Sequence, residues 1–179
     1  MLIRRPLQLR ATLIVGVLAA LITALIVPLT ASGHASARVA ALDAATQREA
    51  DLYEIDQIEV KFHKATSSHD LNLMMSLWAP GAVFNIDQQT LTGKAQIRRW
   101  FATENKAFKP NHHWESDTPS YKIRIDLNGD KATMYFECHY IDPKTGTVVA
   151  KAGVTHTLQR VNGQWLITNS AGSNATLSP

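Results

Sequence analysis

The fold is decided by the stretch from Asp51 to Ile86, which reads DLYEIDQIEV KFHKATSSHD LNLMMSLWAP GAVFNI. Large apolar side chains recur at intervals of three and four in its first part, at Leu52, Ile55, Ile58 and Phe62. This spacing puts all four on one face of an α-helix, so it predicts a helix whose apolar stripe is buried.

Three further elements are predicted before residue 110. They are a short helix over 71–78, a short strand over 82–86 and a helix from about residue 92 to 109. Pro80–Gly81 and Pro110 are expected to end the two helices, because proline cannot continue a helix and glycine favours turns.

The period of the apolar residues changes to two beyond residue 120. Apolar and polar side chains alternate in four runs, over 121–127, 134–140, 148–158 and 165–171. This alternation is typical of half-buried strands. Turn signals separate the runs, of which Asn128–Gly129 and Asn162–Gly163 are the strongest, so the strands are predicted to follow one another as antiparallel hairpins.

The first 37 residues predict a targeting or anchoring segment. Arg4, Arg5 and Arg10 precede an apolar run over 11–29, and Ala35–Ser36–Ala37 fits a small-residue cleavage pattern. The run is long for a signal peptide and close to the length that spans a bilayer, so cleavage and retention as a membrane anchor both stay open. Either way, the rest of the chain is expected outside the cytoplasm, secreted, periplasmic or anchored by one helix.

The remaining chain divides into three predicted parts. Residues 38–50 are rich in alanine and are interpreted as a helical spacer, residues 51–173 as one α+β domain and residues 174–179 as a tail. Residues 38–179 contain 15 Lys/Arg and 15 Asp/Glu, so the basic charge of the whole chain comes from the leader. A neutral domain without a basic block argues against binding to nucleic acid.

The order of elements, together with particular residues, resembles the nuclear transport factor 2-like (NTF2-like) superfamily, and within it the SnoaL-like polyketide cyclase and dehydratase domains. The residues that carry the resemblance are Asp51–Leu52, Ile55, Ile58, Phe62, His69–Asp70–Leu71, Leu77 to Phe84, Gly93, Ile97, Phe101, His112–His113 and Asn162 to Ile167. The resemblance covers about residues 50–172. It implies a cone-shaped, curved antiparallel sheet wrapped around three helices, and a homodimer.

The resemblance also implies an apolar pocket in which acid or base side chains move a proton beside a carbonyl group. Asp51 is a candidate, because it lies on the apolar stripe of the first helix and matches the place of an acidic catalytic residue in SnoaL-like dehydratases. A capping box formed with Glu54 is the alternative interpretation, in which Asp51 caps the helix N-terminus.

His112 and His113 are the second catalytic candidates, since they match the place where the family pattern often carries a histidine. Only one of two neighbours in a strand faces inward. Pro110 and Asn111 make a solvated loop equally possible, and residues 114–120 form an insertion relative to the pattern.

Four further residues are candidates for contact with a substrate. Tyr121, Tyr140 and His156 lie in the inward register of their strands, and Phe62 lies on the stripe of the first helix. Each also fits a purely structural role, as an aromatic packing residue or, for His156, as a hydrogen-bonded histidine of the core. His63 and His69 are expected at the surface or in a turn.

No cofactor or metal is expected. The sequence contains no glycine-rich phosphate loop or nucleotide fingerprint, and its histidines lack the spacing of a zinc site. Two functions therefore compete. One is a cofactor-independent dehydratase, isomerase or cyclase that acts on a small hydrophobic carbonyl compound. The other is a non-catalytic module of a cell-envelope complex that binds a small molecule or a partner.

Overall fold

The computed structural model of the chain describes residues 31–109, 113–175 and 177. The chain divides into two units, Met1–Val39 and Ala40–Pro179, and the second holds the domain. Within the described ranges no helix has both the length and the apolar character needed to cross a membrane. Residues 1–30 lie outside those ranges, so the signal peptide or anchor stays a prediction.

Within the described residues, three α-helices and two short 3-10 turns make up the helical part. The helices are α1 (Ala31–Ser67), α2 (Leu71–Ser76) and α3 (Gly93–Thr103), and the 3-10 turns span Lys106–Phe108 and Ser120–Lys122. Asp70 caps α2, because its Oδ1 accepts hydrogen bonds from the backbone N–H groups of Asn72 and Leu73, each 2.9 Å long. The N-cap interpretation of Asp51 is wrong, since α1 begins twenty residues before it.

In the described part of the chain the sheet has seven strands in the order β2-β1-β7-β6-β5-β3, and β4 pairs with β5. The strands are β1 (Trp78–Ile86), β2 (Gln89–Thr92), β3 (Glu115–Asp117), β4 (Arg124–Asn128), β5 (Lys131–Asp142), β6 (Thr147–Val161) and β7 (Gln164–Gly172). The four hairpin-linked strands of the second half are as predicted. The sheet is mixed, however, because β1 pairs with β7 in parallel.

The boundaries differ from prediction where local signals conflict. The segment at Pro80–Gly81 is part of β1, and an irregularity in the β1–β7 register between Trp78 and Val83 accommodates it. A tight turn follows β1, since Asp87 and Gln88 both have positive φ, and it leads directly into β2.

The core lies between the helices and one face of the sheet. Inward side chains alternate along β5, β6 and β7. The helices and the sheet both contribute large, fully buried side chains, among them Trp78, Phe101, Phe136, Ile55, Met74 and Ile167. This packing leaves a small hollow between α1, α3 and the inner face of the sheet.

Candidate functional site

The hollow is a cavity of about 20 Å³, enough for one water-sized group. Its wall combines aromatic rings with small side chains, among them Phe62 and Thr66 from α1, Trp100 and Phe101 from α3, and Cys138, Tyr140 and Val154 from the sheet. The structure thus places two of the predicted substrate-contact residues, Phe62 and Tyr140, on one wall.

Two titratable groups lie on the wall, and both are held protonated. Burial raises the pKa of the Tyr140 hydroxyl well above its ordinary value, and burial followed by the charge of Glu59 raises the pKa of the Cys138 thiol. Along the described part of the wall there is no carboxylate, imidazole or amine. Tyr140 is therefore a hydrogen-bond donor and cannot serve as a base at neutral pH.

His156 lies in the core next to Phe62 of the cavity wall and is completely buried. Its Nδ1 is 2.9 Å from Ser170 Oγ, and the rings of Phe62, Trp78 and Phe136 surround it at centroid distances of 5.4, 5.9 and 5.2 Å. Burial, with a smaller contribution from His63, lowers the pKa of His156 to about 3, so the imidazole is neutral at physiological pH. Its Nε2 has no hydrogen-bond partner among the described residues.

Asp51 is paired with Arg160, which lies on β6. Arg160 Nη2 donates to Asp51 Oδ1, and Gln47 Nε2 donates to the same oxygen at 2.9 Å. Burial would raise the pKa of Asp51, but these hydrogen bonds outweigh it and the pKa is lowered. The Trp165 N–H contributes to this lowering although its contact is not a well-formed hydrogen bond.

The Arg160 guanidinium is itself fixed from three sides. Besides its bond to Asp51, it donates to Asp130 Oδ1 at 3.1 Å and lies 4.8 Å from the centre of the Trp165 ring. Asp51 is not on the cavity wall. Its geometry is that of an ion pair joining α1 to the β6–β7 hairpin.

Two further predicted site residues, His113 and Tyr121, are not on the cavity wall. His113 is exposed and stacks on Trp114, while His112 lies outside the described residues. Tyr121 is 75 % exposed, because a 3-10 turn at Ser120–Lys122 interrupts the alternation that predicted an inward side chain.

The structure also buries a polar cluster that the sequence did not indicate. His63, expected at the surface, lies in the interior with Glu59 one turn earlier on α1. His63 Nδ1 is 2.6 Å from Ser116 Oγ, and Nε2 is 2.6 Å from Thr118 Oγ1 and 2.9 Å from Glu59 Oε1. This cluster, Glu59–His63–Ser116–Thr118, joins α1 to β3.

The hydrogen bonds of the cluster select one tautomer of a neutral His63 ring. Thr118 donates its only hydroxyl hydrogen to the Glu137 carbonyl at 2.9 Å, so its oxygen accepts the N–H of His63 Nε2. Nδ1 then accepts the hydrogen bond from Ser116. Glu59 Oε1 makes no well-formed hydrogen bond within the described residues despite its closeness to Nε2.

A second hollow is an open groove of about 630 Å³ beside α1. Tyr53, Glu54 and Lys61 of α1 line one side of it, and the start of β7 lines the other.

In the part of the chain that the structure describes, no three His, Cys, Asp or Glu side chains lie close enough together to hold a metal ion.

Comparison with known proteins agrees with this architecture. The sequence profile of the SnoaL-like domain matches residues 47–171, well over half of the chain. No curated protein matches the chain.

Several solved structures share the fold at low sequence identity. An NTF2-like protein with a cystatin-like fold from Novosphingobium aromaticivorans is 16% identical, with a TM-score of 0.64 over 76% of this chain and 90% of its own. A suggested dehydratase from Streptomyces avermitilis is 14% identical, with a TM-score of 0.57 over 72% of this chain and 99% of its own. A hexachlorocyclohexane dehydrochlorinase is 16% identical, with a TM-score of 0.57 over 72% and 87%.

At these identities the solved structures establish the fold alone, while the profile match extends over the whole domain. The resemblance drawn from the sequence is thereby confirmed. The chain belongs to the SnoaL-like domain family, and it shares the fold of the NTF2-like proteins.

Proposed function

We propose that the domain binds a small apolar molecule carrying a hydrogen-bond acceptor, such as a ketone or ether, without transforming it. The observation that carries the proposal is the chemistry of the cavity wall. Its described titratable groups are the protonated Cys138 and Tyr140, and proton transfer beside a carbonyl needs a base that neither supplies.

The other groups on the wall favour an apolar ligand with one polar atom. Thr66 donates its hydroxyl hydrogen to the Phe62 carbonyl at 2.9 Å, and Asn105 Oδ1 accepts from the Ala107 N–H at 2.9 Å. These bonds engage the Thr66 hydroxyl hydrogen and the Asn105 side-chain oxygen, and the Tyr140 hydroxyl is a donor that can orient a ligand. Apolar walls with a few placed polar groups are typical of small-molecule sites.

Acetophenone and ethylbenzene form a matched pair of probes, because they share a phenyl ring and a two-carbon side chain and differ in the carbonyl oxygen. Calorimetric titration is expected to show that Tyr140→Phe weakens acetophenone binding about five- to ten-fold, the worth of about one hydrogen bond. Ethylbenzene binding is expected to stay unchanged in this variant. Absence of acetophenone binding to the unmodified domain would contradict the proposal.

The predicted dehydratase or isomerase activity is the second candidate, and one observation favours it. The Glu59–His63–Ser116–Thr118 cluster holds a carboxylate 2.9 Å from an imidazole, and Glu59 is close enough to Cys138 on the cavity wall to raise its pKa. Two of the structurally similar proteins bear the names of elimination enzymes, a dehydratase and a dehydrochlorinase.

Proton exchange in deuterated water separates the two candidates. A catalytic domain would exchange the methyl hydrogens of acetophenone for deuterium, and His63→Gln would abolish that exchange while the domain stays folded. A variant in which Asp51, His112 and His113 are all alanine tests the catalytic residues that the sequence predicts. No exchange above the buffer rate is the result expected from a binding module.

Location is part of the proposal. We infer from the sequence pattern of residues 1–37 that the domain acts outside the cytoplasm, either released or held by an N-terminal anchor. Intact-mass measurement of the native protein distinguishes these forms, since cleavage after Ala37 removes the leader and retention keeps it.

A further inference from the structure

The chain does not leave the domain where the last strand ends. β7 ends at Gly172, and the next two residues, Ser173 and Asn174, form part of the cavity wall. The sequence predicts only a tail over residues 174–179. In the structure Ala175 and Leu177 are each only 4 % exposed and belong to the hydrophobic core.

Two hydrogen bonds attach this segment to the elements beside the cavity. The Asn174 backbone N–H donates to Asp87 Oδ1 at 3.0 Å, and its side-chain Nδ2 donates to the Glu104 carbonyl at 3.4 Å. Asp87 is in the β1–β2 turn, where its positive φ of 47° is part of the tight reversal. Glu104 ends α3. The segment therefore connects the β1–β2 turn to the end of α3.

We propose that Ser173, Asn174, Ala175 and Leu177 form a strap that closes the cavity, and that a ligand enters when the strap lifts. The ligand part of this inference rests on the proposed binding function. The closing of the cavity does not, and it is measurable without any ligand.

A ring-sized ligand of the proposed kind can enter the cavity only after such a movement. A volume of about 20 Å³ holds a water-sized group, whereas sites for ring-sized molecules measure about 300–1,000 Å³. Ser173 and Asn174, the part of the strap on the cavity wall, belong to neither a helix nor a strand. The described residues of the strap lie outside the hydrogen-bonded ladders of the sheet, so we expect it among the segments that open most readily.

Leu177 is the larger of the two apolar anchors, so its truncation is expected to release the strap. Losing the burial of a leucine side chain shifts an opening equilibrium about ten- to one-hundred-fold. Leu177→Ala removes this anchor in the full-length chain and leaves the cavity wall itself unaltered, because Leu177 is not one of the residues that line it.

The rate at which a thiol reagent modifies Cys138 measures how often the cavity opens. Cys138 is the only cysteine of the chain, it lies on the cavity wall and it is 1 % exposed. A thiol reagent such as 4,4′-dithiodipyridine reaches it when the cavity opens. At one fixed pH, Leu177→Ala is expected to increase the rate of Cys138 modification about ten-fold or more relative to the unmodified chain.

A matched variant separates local opening from global unfolding. Leu127→Ala truncates a buried leucine of β4, an element with no residue among those that line the cavity. Denaturant concentrations are chosen so that both variants have the same free energy of unfolding. The strap requires faster modification in Leu177→Ala than in Leu127→Ala, and equal rates would overturn it.

Acetophenone makes failure of the strap distinguishable from failure of the binding function. If Leu177→Ala accelerates modification and acetophenone does not protect Cys138 in it, the strap stands and the binding proposal fails. If acetophenone protects Cys138 in the unmodified chain while the two leucine variants react equally fast, the binding function stands and the strap is rejected.

Discussion

His63 Nδ1 lies 2.6 Å from Ser116 Oγ, a buried hydrogen bond between two residues 53 positions apart. It joins α1 to β3, a strand of three residues that pairs with β5 alone within the described sheet. The edge strand is therefore held in place by the helix as well as by its neighbouring strand.

His63→Leu is expected to destabilise the fold. It removes the imidazole that bonds to the buried hydroxyl groups of Ser116 and Thr118, and each buried polar group left unsatisfied costs about 1–3 kcal/mol. Ser116→Ala removes one hydrogen bond and is expected to cost about 1–3 kcal/mol. Urea unfolding of the two single variants and the double variant measures both values.

The control for this pair is Ser68→Ala, which removes an exposed hydroxyl that donates to the Lys64 carbonyl at the end of the same helix. It is expected to change the free energy of unfolding by about 0.5 kcal/mol or less. The His63 and Ser116 effects are expected to be non-additive, because the residues are in direct contact. Strict additivity would show that the cluster does not act as a unit.

His156 makes the stability of the domain depend on pH. Its folded pKa of about 3 lies below the ordinary value of 6.5, so the unfolded chain takes up the proton first as the pH falls. The stabilisation is full above 6.5 and is lost from there down to about 3. His156→Gln is expected to remove a slope of up to about 1.4 kcal/mol per pH unit, which unfolding curves between those two pH values would measure.

Ser170→Ala is the control for that slope. It removes the hydroxyl 2.9 Å from His156 Nδ1 but leaves the titrating ring in place. Its free energy of unfolding is expected to fall by about 1–3 kcal/mol while the pH slope is retained. A Gln variant with the same slope as the unmodified chain would contradict the assignment to His156.

Turn residues and apolar alternation predicted the strands of the second half of the fold, because hairpins pair strands that follow one another in the sequence. Asn162 and Gly163 have φ values of 50° and 80°, which match the two-residue turn that an Asn-Gly pair favours. With the turns in place, the alternation along β5 and β6 puts Tyr140 and His156 on the inner face, where the structure also has them.

Long-range contacts account for what the sequence did not predict. A histidine such as His63 is expected near solvent because ionisable residues are rarely buried without partners. Its partners Ser116 and Thr118 come from residues 114–120, a segment that interrupts the family pattern and whose position no local periodicity specifies. The same segment leads into the 3-10 turn that turns Tyr121 outward.

Asp70 gives a local test of the motif His69–Asp70–Leu71 that contributed to the resemblance. Asp70→Ala removes the N-cap of α2 and is expected to cost about 1 kcal/mol, whereas Asp70→Asn keeps a capping oxygen and is expected to cost much less. Thermal or urea unfolding measures the difference. Equal losses in the two variants would mean that the charge matters and the cap does not.

Asp51 gives the sharpest test of a structural against a catalytic carboxylate. Asp51→Asn removes the ion pair with Arg160, and loss of a charged hydrogen bond in this partly buried site is expected to cost about 1.5–3 kcal/mol at neutral pH. Because the pKa of Asp51 is lowered, its stabilisation is full above the ordinary value of 3.8 and is lost as the pH falls below it. Urea unfolding should therefore show a difference between the variant and the unmodified chain that shrinks in acid.

The control for Asp51 is Asp43→Asn, which changes an exposed carboxylate on the same helix and should leave the free energy of unfolding almost unaltered. Acetophenone affinity is expected to survive Asp51→Asn, since Asp51 is not on the cavity wall. A variant that stays fully stable but loses binding or proton exchange would return Asp51 to the functional site, because a carboxylate that only joins α1 to β6 can affect a ligand only by loosening the fold.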